Sequence, residues 1–413
     1  MKHDVVIIGG GPGGSACAMF LQQLGVRSAI VEKESFPRFH VGESMTGECG
    51  SLVRALGLEE RMSRARHPTK NNVTVYGPTG RNAWRVDVKS RSPEGDLVPS
   101  FTWQVRRSDF DAMLLEEAQA RGAELFSGRA VEPLRDLTGR TQGVRVELAG
   151  GGTRDLPSQV LVDASGQANF LSRAGVAGRR RTGRYDKQVA IFSHVTGMVR
   201  DRGADSGATL IFYREKFHWA WCIPLDDDVT SVGVVVPAAY FRDRGEEMTA
   251  FYRRELSELN PELARRLPDV SQVEPVRAFP NYSYEVGDYT GPGFVCIGDS
   301  HRFIDPIFSF GMFVTMKEAQ MAASAITAEL GAGPGGTESP FRAHREACDR
   351  GLDAVEDLIE AFWKEPLGFA YLVHHRHPGL MVDLFAGRLW DDRVAPALAS
   401  LRDLVAHRQN RTE

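Results

Sequence analysis

Long uncharged runs are missing from this sequence, as are paired cysteines and any large excess of one charge. No stretch free of charge reaches the ~18 residues that a membrane-spanning helix needs. The chain passes from Met1-Lys2-His3-Asp4 straight into an apolar strand, which leaves no room for a signal peptide. Five cysteines (Cys17, Cys49, Cys222, Cys296, Cys348) lie far apart over 413 residues with no C-x-x-C, so no disulfide framework is indicated. Several sit in apolar runs, where a free thiol packs as a small hydrophobe. A net charge of −4 gives no global attraction to nucleic acid or to an anionic membrane. His374, His375 and His377 have no cysteine or carboxylate at ligand spacing, so they read as a solvated helix end and no metal is expected. There is no internal repeat and no low-complexity segment. The expectation is a soluble, cytoplasmic globular protein with neither nucleic acid nor membrane as partner.

What is present begins at residue 5. Val5-Val6-Ile7-Ile8 is a β-branched run suited to a buried parallel strand, and it runs into Gly9-Gly10-Gly11-Pro12-Gly13-Gly14. Gly9, Gly11 and Gly14 fit G-x-G-x-x-G, the spacing that lets backbone approach a pyrophosphate and a helix pack close on the strand. A helix over Ser15 to Leu24 aims its N-terminal amides at the phosphates. A second strand, Ser28 to Val31, delivers Glu32, a carboxylate placed for the hydroxyls of an adenosine ribose. Strand, helix, second strand and acid in register indicate a bound dinucleotide.

The chain returns to this nucleotide fold twice, at Val160 to Gly166 and at Gly293 to Asp299. Ahead of the first return, 72–76 and 83–86 alternate like paired strands and start a second sheet, and between the two returns residues 189–236 alternate as β-strands. Arg179-Arg180-Arg181 reads as a solvated basic loop. A helix over 315–330, a glycine-rich linker at 331–336 and a helical tail complete the chain. The fold class is α/β: an FAD-binding, Rossmann-like domain over 1–185 and 275–335 with a β insert near 67–105. A substrate-binding β-sheet domain spans 186–274 and a helical region 336–413. Weaving one nucleotide domain from three pieces is a habit of FAD hydroxylases rather than of simple nicotinamide dehydrogenases.

Gly9-x-Gly11-x-x-Gly14 with Glu32, Arg107-x-x-Phe110-Asp111 and Gly298-Asp299 together resemble the FAD-dependent monooxygenases of the p-hydroxybenzoate hydroxylase fold. Within them, three further stretches resemble the flavin-dependent halogenases, particularly the branch acting on phenols and pyrroles. Trp219-x-Trp221-x-Ile223-Pro224 matches W-x-W-x-I-P, and Pro37-Arg38-x-x-Val41-Gly42-Glu43-Ser44 matches the loop beside the flavin. Asp305 to Gly311 matches the turn that holds halide. Leu384 to Asp391 also looks like that branch's tail.

The resemblance implies FAD, reduced by a separate flavin reductase, and a halide ion, chloride or bromide. It implies cofactor contacts from Gly9, Gly11, Pro12, Gly13, Gly14, Glu32 and Lys33, from Arg38, Ser44 and Arg107, and from Asp299, Pro306, Gly311 and Met312. Halide would sit at Ser309, Phe310 and Gly311, with Phe310 where the family usually has Ser or Thr. Trp219 and Trp221 would bar the substrate from the flavin. Taken alone, such a pair at i, i+2 shares one strand face and reads as core. Lys70, aligned by spacing from Gly42-Glu43-Ser44, would be the amine that handles hypohalous acid; the competing reading is a surface lysine at a strand start. Phe308 replaces the carboxylate of tryptophan-type halogenases, which implies an electron-rich arene such as a phenol or pyrrole, free or carrier-protein-tethered. The activity implied is FADH2-dependent halogenation in natural-product biosynthesis; the alternative is an FAD-dependent aromatic hydroxylase on the same scaffold.

Overall fold

The computed structural model describes residues 3–185, 187–281, 283–332 and 340–412. Most of the glycine-rich linker at 331–336 lies outside them. Two eight-stranded sheets organise the chain. In the first, Val5–Ile8 pairs in parallel with Ser28–Glu32 on one side and Val160–Asp163 on the other, and Phe294–Cys296 joins beyond. Every residue of these strands is buried, which is why their sequences run apolar without alternation. Helix Pro12–Gln23 starts on proline at its first position, three residues earlier than the composition of the stretch predicted. Strand Glu124–Arg135 pairs in parallel with Ser28–Glu32, then leads the antiparallel meander at that edge.

The second sheet runs Ser271–Gln272, Gln188–Thr196, Thr230–Pro237, His218–Pro224, Thr209–Glu215, Asn72–Tyr76 and Ala83–Asp87, with Arg277–Asn281 also paired to Gln188–Thr196. Side chains alternate across it. Ile191, Phe212, Ala220 and Val234 meet Phe251 and Tyr252 of helix Met248–Glu258 on one face. Phe192, Ile211, Trp219, Trp221, Ile223 and Val235 fall on the other, in the main core that it shares with the nucleotide fold.

Asn72–Tyr76 pairs in parallel with Thr209–Glu215 and antiparallel with Ala83–Asp87, so these two strands of the insert near 67–105 belong to the second sheet, as their alternation predicts. Thr69–Lys70 with Thr102–Trp103 and Lys89–Arg91 with Leu97–Pro99 form two-stranded sheets of their own. One expectation changes. Arg180–Thr182 is an edge strand against Tyr284–Val286 rather than a loop, although its side chains remain exposed. Arg180 lies 3.6 Å over the Tyr284 ring, an attraction that charge alone in the sequence does not reveal. Among the described residues no helix is long and apolar enough to cross a membrane.

Candidate active site

A cavity of about 690 Å³ runs between the two sheets, well within the size range of cofactor sites. One end follows the first βα turn. Gly9 has φ of +102°, and a Cβ there would lie 2.4 Å from the Ala164 carbonyl oxygen. A Cβ on Gly14 would come within 1.9 Å of the Gly9 oxygen, so Gly14 sets the approach of helix to strand and does not itself line the cavity. Gly11, Pro12 and Gly13 do line it. The Glu32 carboxylate is fixed at the strand end by the Gly10 amide at 2.7 Å and the Glu34 amide at 2.8 Å. Lys33 is at the wall but more than half exposed, beside Glu34.

Further along, Arg107 donates to the Val41 carbonyl at 2.6 Å and grips Asp111 through two bonds, which locks the 41–44 loop against helix Arg107–Ala120. Arg38 reaches the same Asp111 at 3.3 Å. Asp299 lines the cavity, its backbone oxygen held by Tyr284 and Asn169. Pro306, Ser309, Gly311 and Met312 form the wall opposite. These parts fit an FAD: a glycine turn with no room for side chains, an acid at the adjacent strand end, and a third strand end beyond it.

Trp219 and Trp221 line the far end of the cavity from the second sheet, with ring centroids 5.8 Å apart. The Trp221 indole donates to Ser231 Oγ at 3.1 Å, and Gly233 opposite leaves space for the ring: a Cβ there would sit 2.3 Å from it. Ser309 adopts a left-handed conformation (φ +61°) that ends the turn before helix Gly311–Ala332. Phe310 is buried in the core and is absent from the cavity wall, where Ser309 and Gly311 stand exposed to the lumen. The helix starts four residues before the predicted position because that turn, and not Thr315, supplies its entry.

Lys70 is only 2% exposed. Thr69–Lys70 pairs antiparallel with Thr102–Trp103, which draws the lysine inward instead of leaving it at a strand start in water. Its Nζ donates to Ser44 Oγ at 2.8 Å and to the Met45 carbonyl at 2.9 Å. Burial brings its ammonium down from 10.5 to about 7. Beside it lies a pocket of about 20 Å³ walled by Val73, Val86, Phe308, Phe385 and Ala386. Ile211 and Ser309 belong to the walls of both spaces, and Ser44 faces the large one while bonding Lys70.

Sequence reasoning did not single out His194. Its Nε2 lies 2.7 Å from Glu43 Oε1 in a buried pair spanning 151 residues, next to the flavin-side loop. Only Glu43, inside the Val41 to Ser44 motif, carried any signal. The ring cluster of Trp84, Phe362, Phe369 and Phe385 around Phe308 was likewise invisible as a unit. His374, His375 and His377 are spread over a turn, with His377 bonded to Ser400.

A family model described as FAD binding domain matches residues 2–351. The chain is 37% identical to a 1H-pyrrole-2-carbonyl-[peptidyl-carrier protein] brominase of Pseudoalteromonas luteoviolacea, over 90% of this chain and 88% of that protein. It is 28% identical to a 1H-pyrrole-2-carbonyl-[peptidyl-carrier protein] chlorinase of Pseudomonas fluorescens, over 98% and 93%. The solved structure of the flavin-dependent brominase Bmp2 superposes with a TM-score of 0.92 at 35% identity, each chain covered in full. These relatives favour halogenation over the hydroxylase alternative. The chain therefore belongs to the FAD-binding-domain family and, within it, to the flavin-dependent halogenases.

Proposed function

We propose that this halogenase acts on a pyrrole-2-carbonyl group tethered to a carrier protein, with Lys70 as the residue that delivers the halogen. The buried amine of Lys70, set beside a small apolar pocket and behind the wall of the large cavity, carries this reading. The substrate class follows the two relatives whose names specify it. A flavin reductase supplies the reduced cofactor. Bound reduced FAD, with oxygen, supplies the oxidising equivalent that converts halide to hypohalous acid.

The protein's own residues do the rest. Backbone at Ser309 to Gly311, next to the first turn of helix Gly311–Ala332, holds the halide, since amides at a helix start favour an anion. Trp219 and Trp221 keep the arene out of the large cavity while the small hypohalous acid passes Ile211 and Ser309. A neutral Lys70 amine takes the halogen from hypohalous acid, forming N–X and releasing water. A ring carbon then attacks the halogen; the C–X bond forms, N–X breaks, and the ring's proton returns to the amine nitrogen. Ser44 and the Met45 carbonyl aim the nitrogen throughout. Phe308 and Phe385 line the pocket and offer the ring no base, so it must be electron-rich by itself.

Purified protein, a flavin reductase, oxygen, bromide and a pyrrole-2-carbonyl-loaded carrier test this by mass spectrometry. Halogen on the loaded pyrrole is the expected result. Halogenation of free phenols only, with the loaded carrier untouched, would falsify the substrate assignment.

A further inference from the structure

The segment that closes the Lys70 pocket has an outer side exposed to solvent among the described residues. Phe369 of helix Pro366–Tyr371 points inward and stacks 6.2 Å from Phe308, and Phe385 of helix Pro378–Ala386 lines the pocket itself. On the opposite side of the first helix, Leu367 is 88% exposed and Tyr371, one turn on, 55%. These are large apolar side chains in water on one helix face. The exposed His374, His375 and Arg376 follow at once, and His375 stacks on Tyr371 at 5.6 Å. Residues 366–382 contain no aspartate or glutamate, in a chain whose net charge is −4.

We propose that Leu367, Tyr371 and the adjoining His374, His375 and Arg376 form the docking surface for the carrier protein that presents the substrate. This rests on the carrier-bound reading above. An apolar pair supplies the anchor, and the Arg376 guanidinium, with the two imidazoles beside it as hydrogen-bonding groups, complements the anionic phosphodiester that joins a carrier protein to its acyl-bearing arm. Leu367 and Phe369 stand on opposite sides of one helix, so a carrier seated there rests on the element whose inner side packs against Phe308 of the Lys70 pocket wall.

The test compares wild type with Leu367→Asp/Tyr371→Asp and, separately, Arg376→Glu, in the FAD-loaded full-length protein. The probe is a pyrrole-2-carbonyl-loaded carrier protein, with monochlorodimedone as a free acceptor. The expected result is a rise in KM for the loaded carrier of about tenfold in each variant, with kcat within about twofold. Monochlorodimedone halogenation and FAD affinity stay unchanged. An unchanged KM for a carrier that the wild type does halogenate overturns the docking surface alone. Inactivity of the wild type towards the loaded carrier, with free acceptors halogenated, sinks the substrate reading first. If the double variant converts a dimer to a monomer in sedimentation without altering KM, the face joins two copies of this chain and the proposal fails.

Discussion

Lys70 costs the fold stability in return for an amine that is half neutral near pH 7. Its unfolded counterpart stays charged up to about 10.5, so folding at neutral pH is opposed by at most about 5 kcal/mol from this one group. The penalty is complete below pH 7 and fades as pH rises from 7 to 10.5, because the unfolded chain binds the extra proton only in that window. Lys70→Met removes the charge and keeps the volume. It is expected to raise unfolding free energy at pH 7 by about 1–3 kcal/mol in urea titrations, with the gain shrinking towards pH 10. The same substitution should cut halogenation by ~10²-fold or more. In the wild type the halogen-transfer rate should climb with pH through about 7, as the neutral amine accumulates. A rate falling over that range would show that the ammonium form is the working one. Spacing located Lys70 in the sequence, but its burial depended on Thr102–Trp103, about thirty residues away, and no local pattern encodes that pairing. His194 is hidden for the same reason: its partner Glu43 lies in another part of the chain.

Among the elements, the turn from Asp305 to Gly311 governs the wall between the two spaces. Asp305 Oδ1 accepts from the Ile307 amide at 3.1 Å, and Oδ2 faces Gln188 and Trp363, tying the turn to the second sheet and to helix Pro340–Lys364. Asp305→Ala should lower stability by about 1–2 kcal/mol and raise the halide KM several-fold, read from unfolding curves and bromide titrations. An unaltered halide KM would detach the turn from halide binding. On the facing sheet, Gly233→Val should push the Trp221 ring from its place and let hypohalous acid escape, seen as less halogenated product per flavin reoxidised. The motifs of both elements were legible because they are contiguous. What the residues around them did, such as the turning of Phe310 into the core, depended on the left-handed Ser309 that no composition rule anticipates. The basic run at 179–181 misled because charge reports solvation, and an edge strand is solvated too.

At the scale of the whole molecule, the first sheet supplies the glycine-turn end of the large cavity, and the second, with the C-terminal helices, walls the Lys70 pocket. The three pieces of the nucleotide fold were readable from buried apolar runs. The parallel pairing of Asn72–Tyr76 with Thr209–Glu215 was not, since long-range register leaves no trace in either strand. Glu32→Ala removes the carboxylate from the cofactor end and should weaken FAD binding by about tenfold to a hundredfold, measured by flavin fluorescence. It should leave the Lys70 pocket intact.

Division of labour between the two sheets is tested most directly by counting halogenated pyrrole formed per reduced flavin consumed, for wild type and Lys70→Met side by side. Flavin reoxidation at the wild-type rate with product nearly abolished is the predicted result. Equal product yields from the two proteins would mean that hypohalous acid reaches the arene without this amine.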